Sequence, residues 1–179
     1  MTNNFDLEAE VRDLAARRDI AGAVQRYMRG LDRLDRDLLV SAFHEDAYVD
    51  AGLEAGPPGP YADFCIEFLG QLGGSHHFLG QVQIELHGPD AASGECYFQA
   101  WHESFDEDGG SRDLFIAGRY IDEYACRNGE WRIAKRRLIT DWVTDLPANH
   151  AFFDNPGIHR GARRGEDFSQ QRDWPRNQD

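Results

Sequence analysis

The chain has 179 residues, with 19 Lys and Arg against 32 Asp and Glu, a formal net charge of −13. That length suits one domain, or one domain with a tail. The acidic balance repels phosphate backbones and argues against nucleic-acid binding, while 41% hydrophobic and 12% aromatic residues are enough for a packed core and exclude a wholly disordered chain. No apolar run approaches the ~18 residues of a membrane span. The acidic, polar start MTNNFDLEAE reads as neither a secretory signal nor a transit peptide. Cys65, Cys96 and Cys126 are widely spaced, without a CxxC, and are expected as reduced thiols of a cytoplasmic protein.

From Asp6 to Arg29 apolar residues recur in three- and four-residue steps, through Val11, Leu14, Ile20, Val24, Tyr27 and Met28, which predicts helix. Asp19 is placed to cap a helix running from Ile20 to about Leu31, because its carboxylate can accept from free first-turn amides. A short second helix is expected over Arg36–Phe43, and a short strand near Tyr48–Ala51. Gly52–Pro60 holds three Gly and three Pro and is expected as loop. Tyr61–Leu72 returns to helix through Phe64, Phe68 and Leu72, and Gly73-Gly74 ends it.

The period then changes. His77–Leu86, Ala92–Phe105, Leu114–Arg127 and Trp131–Val143 are rich in aromatic and β-branched residues, and the turns HGPD, DEDGG and RNGE separate them. Asn128-Gly129 is a strong hairpin signal. Successive strands joined by tight turns make an antiparallel meander. Helices followed by one curled sheet predict an α+β domain over residues 1–146. The tail, 147–179, holds three of the seven prolines. Phe152, Phe153 and Ile158 are expected to dock on the domain or a neighbour, or to cover the mouth of a site, with 165–179 mostly loop or disordered.

Titratable residues within apolar patterns are the candidates for chemistry. His76 and His77 are adjacent in a strand, so they face opposite sides. Strict alternation groups His77 with Leu79, Gln81 and Gln83, and His76 with Phe78, Val82, Ile84 and Leu86. Periodicity alone leaves either histidine as an exposed edge residue or a satisfied polar one. His102 is in phase with Cys96, Phe98 and Ala100, an apolar face, and is either hydrogen-bonded core or part of a site. Asp32 follows the apolar stripe of the first helix near its C-terminus, where the helix dipole is mildly unfavourable to a carboxylate. The sequence has no HxH, HExxH or cysteine pair, so no metal is expected. It has no GxGxxG, GxxxxGK[ST] or GxSxG either, which leaves nucleotide binding and an α/β-hydrolase site unsupported.

Taken in order, YMRGLDRLDRDLLVSAFHEDA, SHHFLGQVQIEL and GRYIDEYACRNGEWRIAKRRL give residues 8–145 a pattern that resembles the SnoaL-like branch of the NTF2-like superfamily. The resemblance implies a curved, mainly antiparallel (mixed) sheet forming a cone-shaped α+β barrel around a pocket and plugged by the N-terminal helices. Among members of that branch, the pattern is most similar to cofactor-free eliminating enzymes of the scytalone dehydratase, bile-acid 7α-dehydratase and hexachlorocyclohexane dehydrochlorinase types. In these an aspartate closing the first long helix pairs with a histidine early in the sheet, which implies Asp32 and His77. A tyrosine of the bile-acid type lands on Tyr27, and the second histidine of scytalone dehydratase on His102. The scytalone dehydratase asparagine falls at Tyr120, a departure. The dehydrochlorinase arginine lands on Arg136, whereas that of the bile-acid type falls at Thr140, another departure.

The function this implies is a cofactor-free lyase acting on a small, largely apolar, cyclic substrate. His77 would be the general base paired with Asp32, Tyr27 and His102 would act as further acid/base groups, and Tyr120 and Arg136 would contact substrate. A ketosteroid-isomerase-like or polyketide-cyclase-like enzyme shares the first proton abstraction. A non-catalytic NTF2-like binding or assembly subunit keeps the cone without the acid/base pair. The expected partners are a small-molecule substrate and further copies of the chain, a trimer ahead of a dimer, with neither nucleic acid nor membrane. Trp101 and Phe105, facing away from His102, are candidates to pack between copies.

Overall fold

A single helix, α1 (Leu7–Arg33), opens the chain in the computed structural model, which describes residues 6–174. The remaining residues of the expected tail loop, 175–179, lie outside the described residues. Asp6, not Asp19, is the cap: its carboxylate accepts from the Glu8 and Ala9 amides. Asp19 instead pairs with Arg18 at the surface. The stripe Ala16, Ile20, Ala23, Val24, Tyr27, Met28 and Leu31 is buried without a break, so the helix has no reason to restart at Ile20. α1 ends where Leu34 turns left-handed, and α2 (Arg36–Val40), capped by Asp35, folds back across it. That crossing requires Gly30, since a Cβ there would lie 2.7–2.8 Å from Leu39 main-chain and Cβ atoms.

β1 spans Phe43–Asp50, longer than expected, because Phe43, Ala47 and Val49 all reach the core. The expected loop is shorter, holding a two-residue strand, β2 (Ala55–Gly56). α3 (Pro58–Gly70) already includes Pro58 and Pro60, whose missing N–H groups cost nothing in a first helical turn.

β3 (Gly74–Leu86), β4 (Ala91–Phe105), β5 (Ser111–Arg127) and β6 (Glu130–Pro147) form the meander. Asn128 and Gly129 both adopt positive φ, as a two-residue hairpin turn demands. The strand order is β2-β1-β6-β5-β4-β3, with β1 parallel to β6 and all other pairs antiparallel. The fold is therefore α+β with a mixed six-stranded sheet, and the sheet is open, not a closed barrel: β2 and β3 stand at its two edges. α1 and α3 fill its inner face, where the core lies.

Beyond Pro147 the tail docks on the domain. His150 lies between two outer-face carboxylates, 2.9 Å from Glu103 and 3.2 Å from Asp113, which together raise its pKa. After a 3₁₀ turn (Ala151–Asp154) the tail returns to the end of α1, closing with α4 (Phe168–Gln171). Phe152 is 68% exposed, and among the described residues none of the tail lines the cavity described below, so residues 152–158 do not form the expected cover over a site mouth.

Candidate active site

Asp32 lies in the last turn of α1 and faces the start of β3. Its carboxylate accepts the His77 main-chain N–H at 2.9 and 3.1 Å and His77 Nδ1 at 2.7 Å. These contacts offset the unfavourable end of the helix dipole. A carboxylate only accepts, so Nδ1 carries the hydrogen and Nε2 is left as the basic nitrogen. The pair is largely buried, with side-chain exposures of 12% and 7%.

The face on which His77 sits departs from strict alternation. A bulge between Leu79 and Val82 inserts one residue into β3. Beyond it the inner positions are Val82, Ile84 and Leu86, so His77 joins the very residues that counting by twos assigns to His76. His76 is exposed.

His102, on β4, is the register partner of Ser75 and stands edge-on to His77, with ring centroids 5.2 Å apart. Burial and the adjacent His77 push its pKa down to about 4, so the neutral ring is the resting form and donates from whichever nitrogen holds the hydrogen. Its Nδ1 is buried with no hydrogen-bond partner among the described residues.

Both histidines line a cavity of about 180 Å³ between α1, α3 and the sheet. Leu31, Phe64, Leu69, Phe98, Ile116 and Leu138 make most of its wall apolar. Tyr27, Tyr120 and Thr140 also line it. Tyr61, from α3, is a residue that sequence reasoning missed: its hydroxyl lies 2.6 Å from that of Tyr27, and the two rings stack. Its only signal was a tyrosine three residues before Phe64 on the helix stripe. Desolvation raises the pKa of Tyr27, Tyr61 and Tyr120 well above the ordinary tyrosine value, so all three are neutral hydrogen-bond donors.

Arg136 does not line the cavity, contrary to expectation. Asp122 sits directly opposite it in the β5–β6 register and holds its guanidinium through two bonds of 2.8 and 2.6 Å. Tyr124 donates to the same carboxylate at 2.7 Å. The guanidinium lies 4.2 Å from the ring centres of both Tyr27 and Tyr120, behind the cavity wall. A larger groove, about 600 Å³, is lined by charged residues including Glu85, Glu95, Lys135 and Arg137 and contains neither histidine. Among the described residues, no three His, Cys, Asp or Glu side chains converge as a metal site would need.

The sequence model of the SnoaL-like domain matches residues 12–137. The chain belongs to the SnoaL-like family. Solved structures similar to this SnoaL-like chain include a type 2 hexachlorocyclohexane dehydrochlorinase (LinA), with a TM-score of 0.72 and 22% identity, covering 83% of this chain and 99% of the other. The LinA type 3 enzyme of Novosphingobium barchaimii gives a TM-score of 0.69 at 20% identity, covering 84% and 97%. A protein provisionally named scytalone dehydratase from Novosphingobium aromaticivorans gives 0.67 at 22%, covering 78% and 93%. At such identities the likeness establishes the shared SnoaL-like fold. No curated protein matches the chain in sequence. No helix of this SnoaL-like chain is long and apolar enough, among the described residues, to cross a membrane.

Proposed function

We propose that the chain is a cofactor-free lyase that eliminates water or halide from a small, largely apolar, cyclic substrate. The observation that carries this reading is the 2.7 Å Asp32–His77 contact on the wall of an apolar cavity. His77 Nε2 takes a proton from a substrate carbon, the C–H electron pair becomes the new C=C bond, and the leaving group departs with its own bonding pair. Asp32 keeps the imidazole in the tautomer that leaves Nε2 free and stabilises the imidazolium that forms. The Tyr27–Tyr61 hydrogen bond uses one of their two hydroxyl hydrogens, so the other and the N–H of His102 are the donors available to a departing oxygen or halide. Names borne by similar structures, a dehydrochlorinase and a dehydratase, agree with this class.

Cavity size narrows the substrate. An apolar cavity of ~150 Å³ accepts benzene, so about 180 Å³ suits a single substituted ring. This favours elimination on one ring over isomerisation of a four-ring steroid. Isomerase and cyclase chemistry share the proton abstraction, and a product assay separates them. A non-catalytic subunit needs no oriented imidazole.

The test is a panel of single-ring β-hydroxy ketones and polychlorinated cyclohexanes, read by mass loss, chloride release and absorbance of the new double bond. Asp32→Asn is expected to lower kcat by ~10⁴ with little change in KM, because an amide can hold the wrong tautomer. His77→Gln should cost about as much, and the double variant little more. A near-parent kcat for Asp32→Asn, or effects that multiply, would remove the dyad. Turnover without loss of water or halide would point to the isomerase or cyclase.

A further inference from the structure

Arg163 belongs to the tail, beyond the residues matched by the family model, which end at 137. Its guanidinium is only partly exposed and ties together two parts of the fold. Nη1 donates to the carbonyls of Leu69 and Leu72 at 3.0 and 3.1 Å, at the C-terminal end of α3. Nη2 donates to Ser75 Oγ at 3.0 Å. A cation suits the carbonyl-rich end of a helix. Ser75 is two residues before His77, on the same face of β3, and is paired in register with His102. The next residue, Arg164, donates its main-chain N–H to the carbonyl of Arg33, which follows Asp32, at 2.9 Å. Two consecutive tail residues thus grip the end of α1 beside Asp32, the end of α3 beside cavity residue Leu69, and the start of β3 just ahead of His77.

The tail itself is held where this happens. Asp167 accepts the amides of Ala162 and Ser169 at 2.9 Å each and lies 3.5 Å from Arg33 Nε. Asp32, Ser75 and Arg163 share the wall of a cleft of about 490 Å³ between tail and domain, a space distinct from the cavity that the histidines line.

We propose that Arg163 is a positioning residue for the Asp32–His77 pair, tying the end of α3 to the Ser75 side chain just ahead of His77 and placing a positive charge near the Asp32 carboxylate. This rests on the reading of that pair as the acid/base unit. The charged and titratable groups around Arg163 are Asp32 and Arg33 from α1, His102 and Glu103 from β4, and Arg164 from the tail. Asp32 and Glu103 favour its charge, whereas burial and the two arginines oppose it. In turn, the charge of Arg163 adds to the forces that keep His102 neutral. An elimination that deposits a proton on His77 gains from an adjacent His102 that does not compete for it.

Charge and tethering are separated by two variants of the full chain. Arg163→Gln keeps a donor for the carbonyls and loses the charge; Arg163→Lys keeps the charge and loses the three-way grip. The substrate-independent readout is NMR titration of the His102 ring, together with the proton on His77 Nδ1. Arg163→Gln is expected to raise the His102 midpoint by about half a pH unit or more, and Arg163→Lys to hold it near the parent value. With a substrate in hand, Arg163→Gln should lower kcat ~10-fold at near-parent KM, and Arg163→Lys should recover part of that. If both variants shift the midpoint equally, the role is structural only and the proposal fails. It also fails if neither moves the midpoint or the Nδ1 proton. Failure of the lyase reading would show separately, as Asp32→Asn and His77→Gln leaving turnover unchanged while these titrations still respond.

Discussion

Acid should destabilise this protein in part through His102. The residue is 6% exposed, and burial pushes its pKa down to about 4, against 6.5 for an ordinary histidine. Between those values the unfolded chain binds the proton and the folded chain does not, so stability falls as pH drops from about 6.5 towards 4. Each pH unit across that window is worth ~1.4 kcal/mol, so this ring removes about 3 kcal/mol by pH 4, a large share of the ~5–15 kcal/mol that holds a domain together. His102→Gln lacks the titrating group and should lose that component. Urea unfolding of both proteins at pH 7, 5.5 and 4 measures it. With a slope of ~2 kcal/mol per M, the gap between the two midpoints should change by ~1.5 M from pH 7 to pH 4 in favour of the variant. His150 works in the opposite direction, since its raised pKa adds stability that is lost as pH rises, but it is common to both proteins and cancels. Parallel pH dependences for parent and variant would show that His102 is not held neutral by the fold, and the description of its surroundings would be wrong.

Arg136→Met should cost ~3–5 kcal/mol, because it strands the Asp122 carboxylate in the interior, whereas Arg136→Met/Asp122→Leu should recover most of that. Chemical denaturation of the two variants and Asp122→Leu completes the cycle, and additive losses would mean that the ion pair is not coupled. The outer face of the sheet carries Phe78, Tyr97, Phe115 and Trp142 partly exposed, beside the Arg119 bonds to Glu95 and Asp141. We expect copies of the chain to cover it, a trimer ahead of a dimer, and light scattering near 20.4 kDa at micromolar concentration would refute this.

The elements whose residues report on their own burial could be read directly. Alternation through Cys96, Phe98, Ala100 and His102 placed the second histidine on the inner face of β4, and the structure has it there. Asn128-Gly129 announced its hairpin because few other pairs tolerate two positive φ angles. The face of His77 was not readable in this way. A bulge changes the count without changing residue types, and only Gly80 marks the place. Resemblance, not periodicity, singled out His77. Arg136 was misjudged for a different reason: whether a strand arginine reaches a pocket depends on its cross-strand neighbour, and Asp122 is separated from it by a turn and a bulged register. Tyr61 escaped because an aromatic residue on a helix stripe looks the same whether it packs or hydrogen-bonds.

The Asp32 carboxylate grips the His77 main chain as well as its ring. Any residue other than proline at position 77 would still offer that amide, so a descendant that lost its histidine would still have use for the aspartate as a staple between helix and sheet. Retention of an aspartate at this position in a relative is therefore poor testimony to chemistry. The informative character is the residue across from it, and lineages that abandoned turnover should be recognised by what replaced the imidazole while the aspartate stayed.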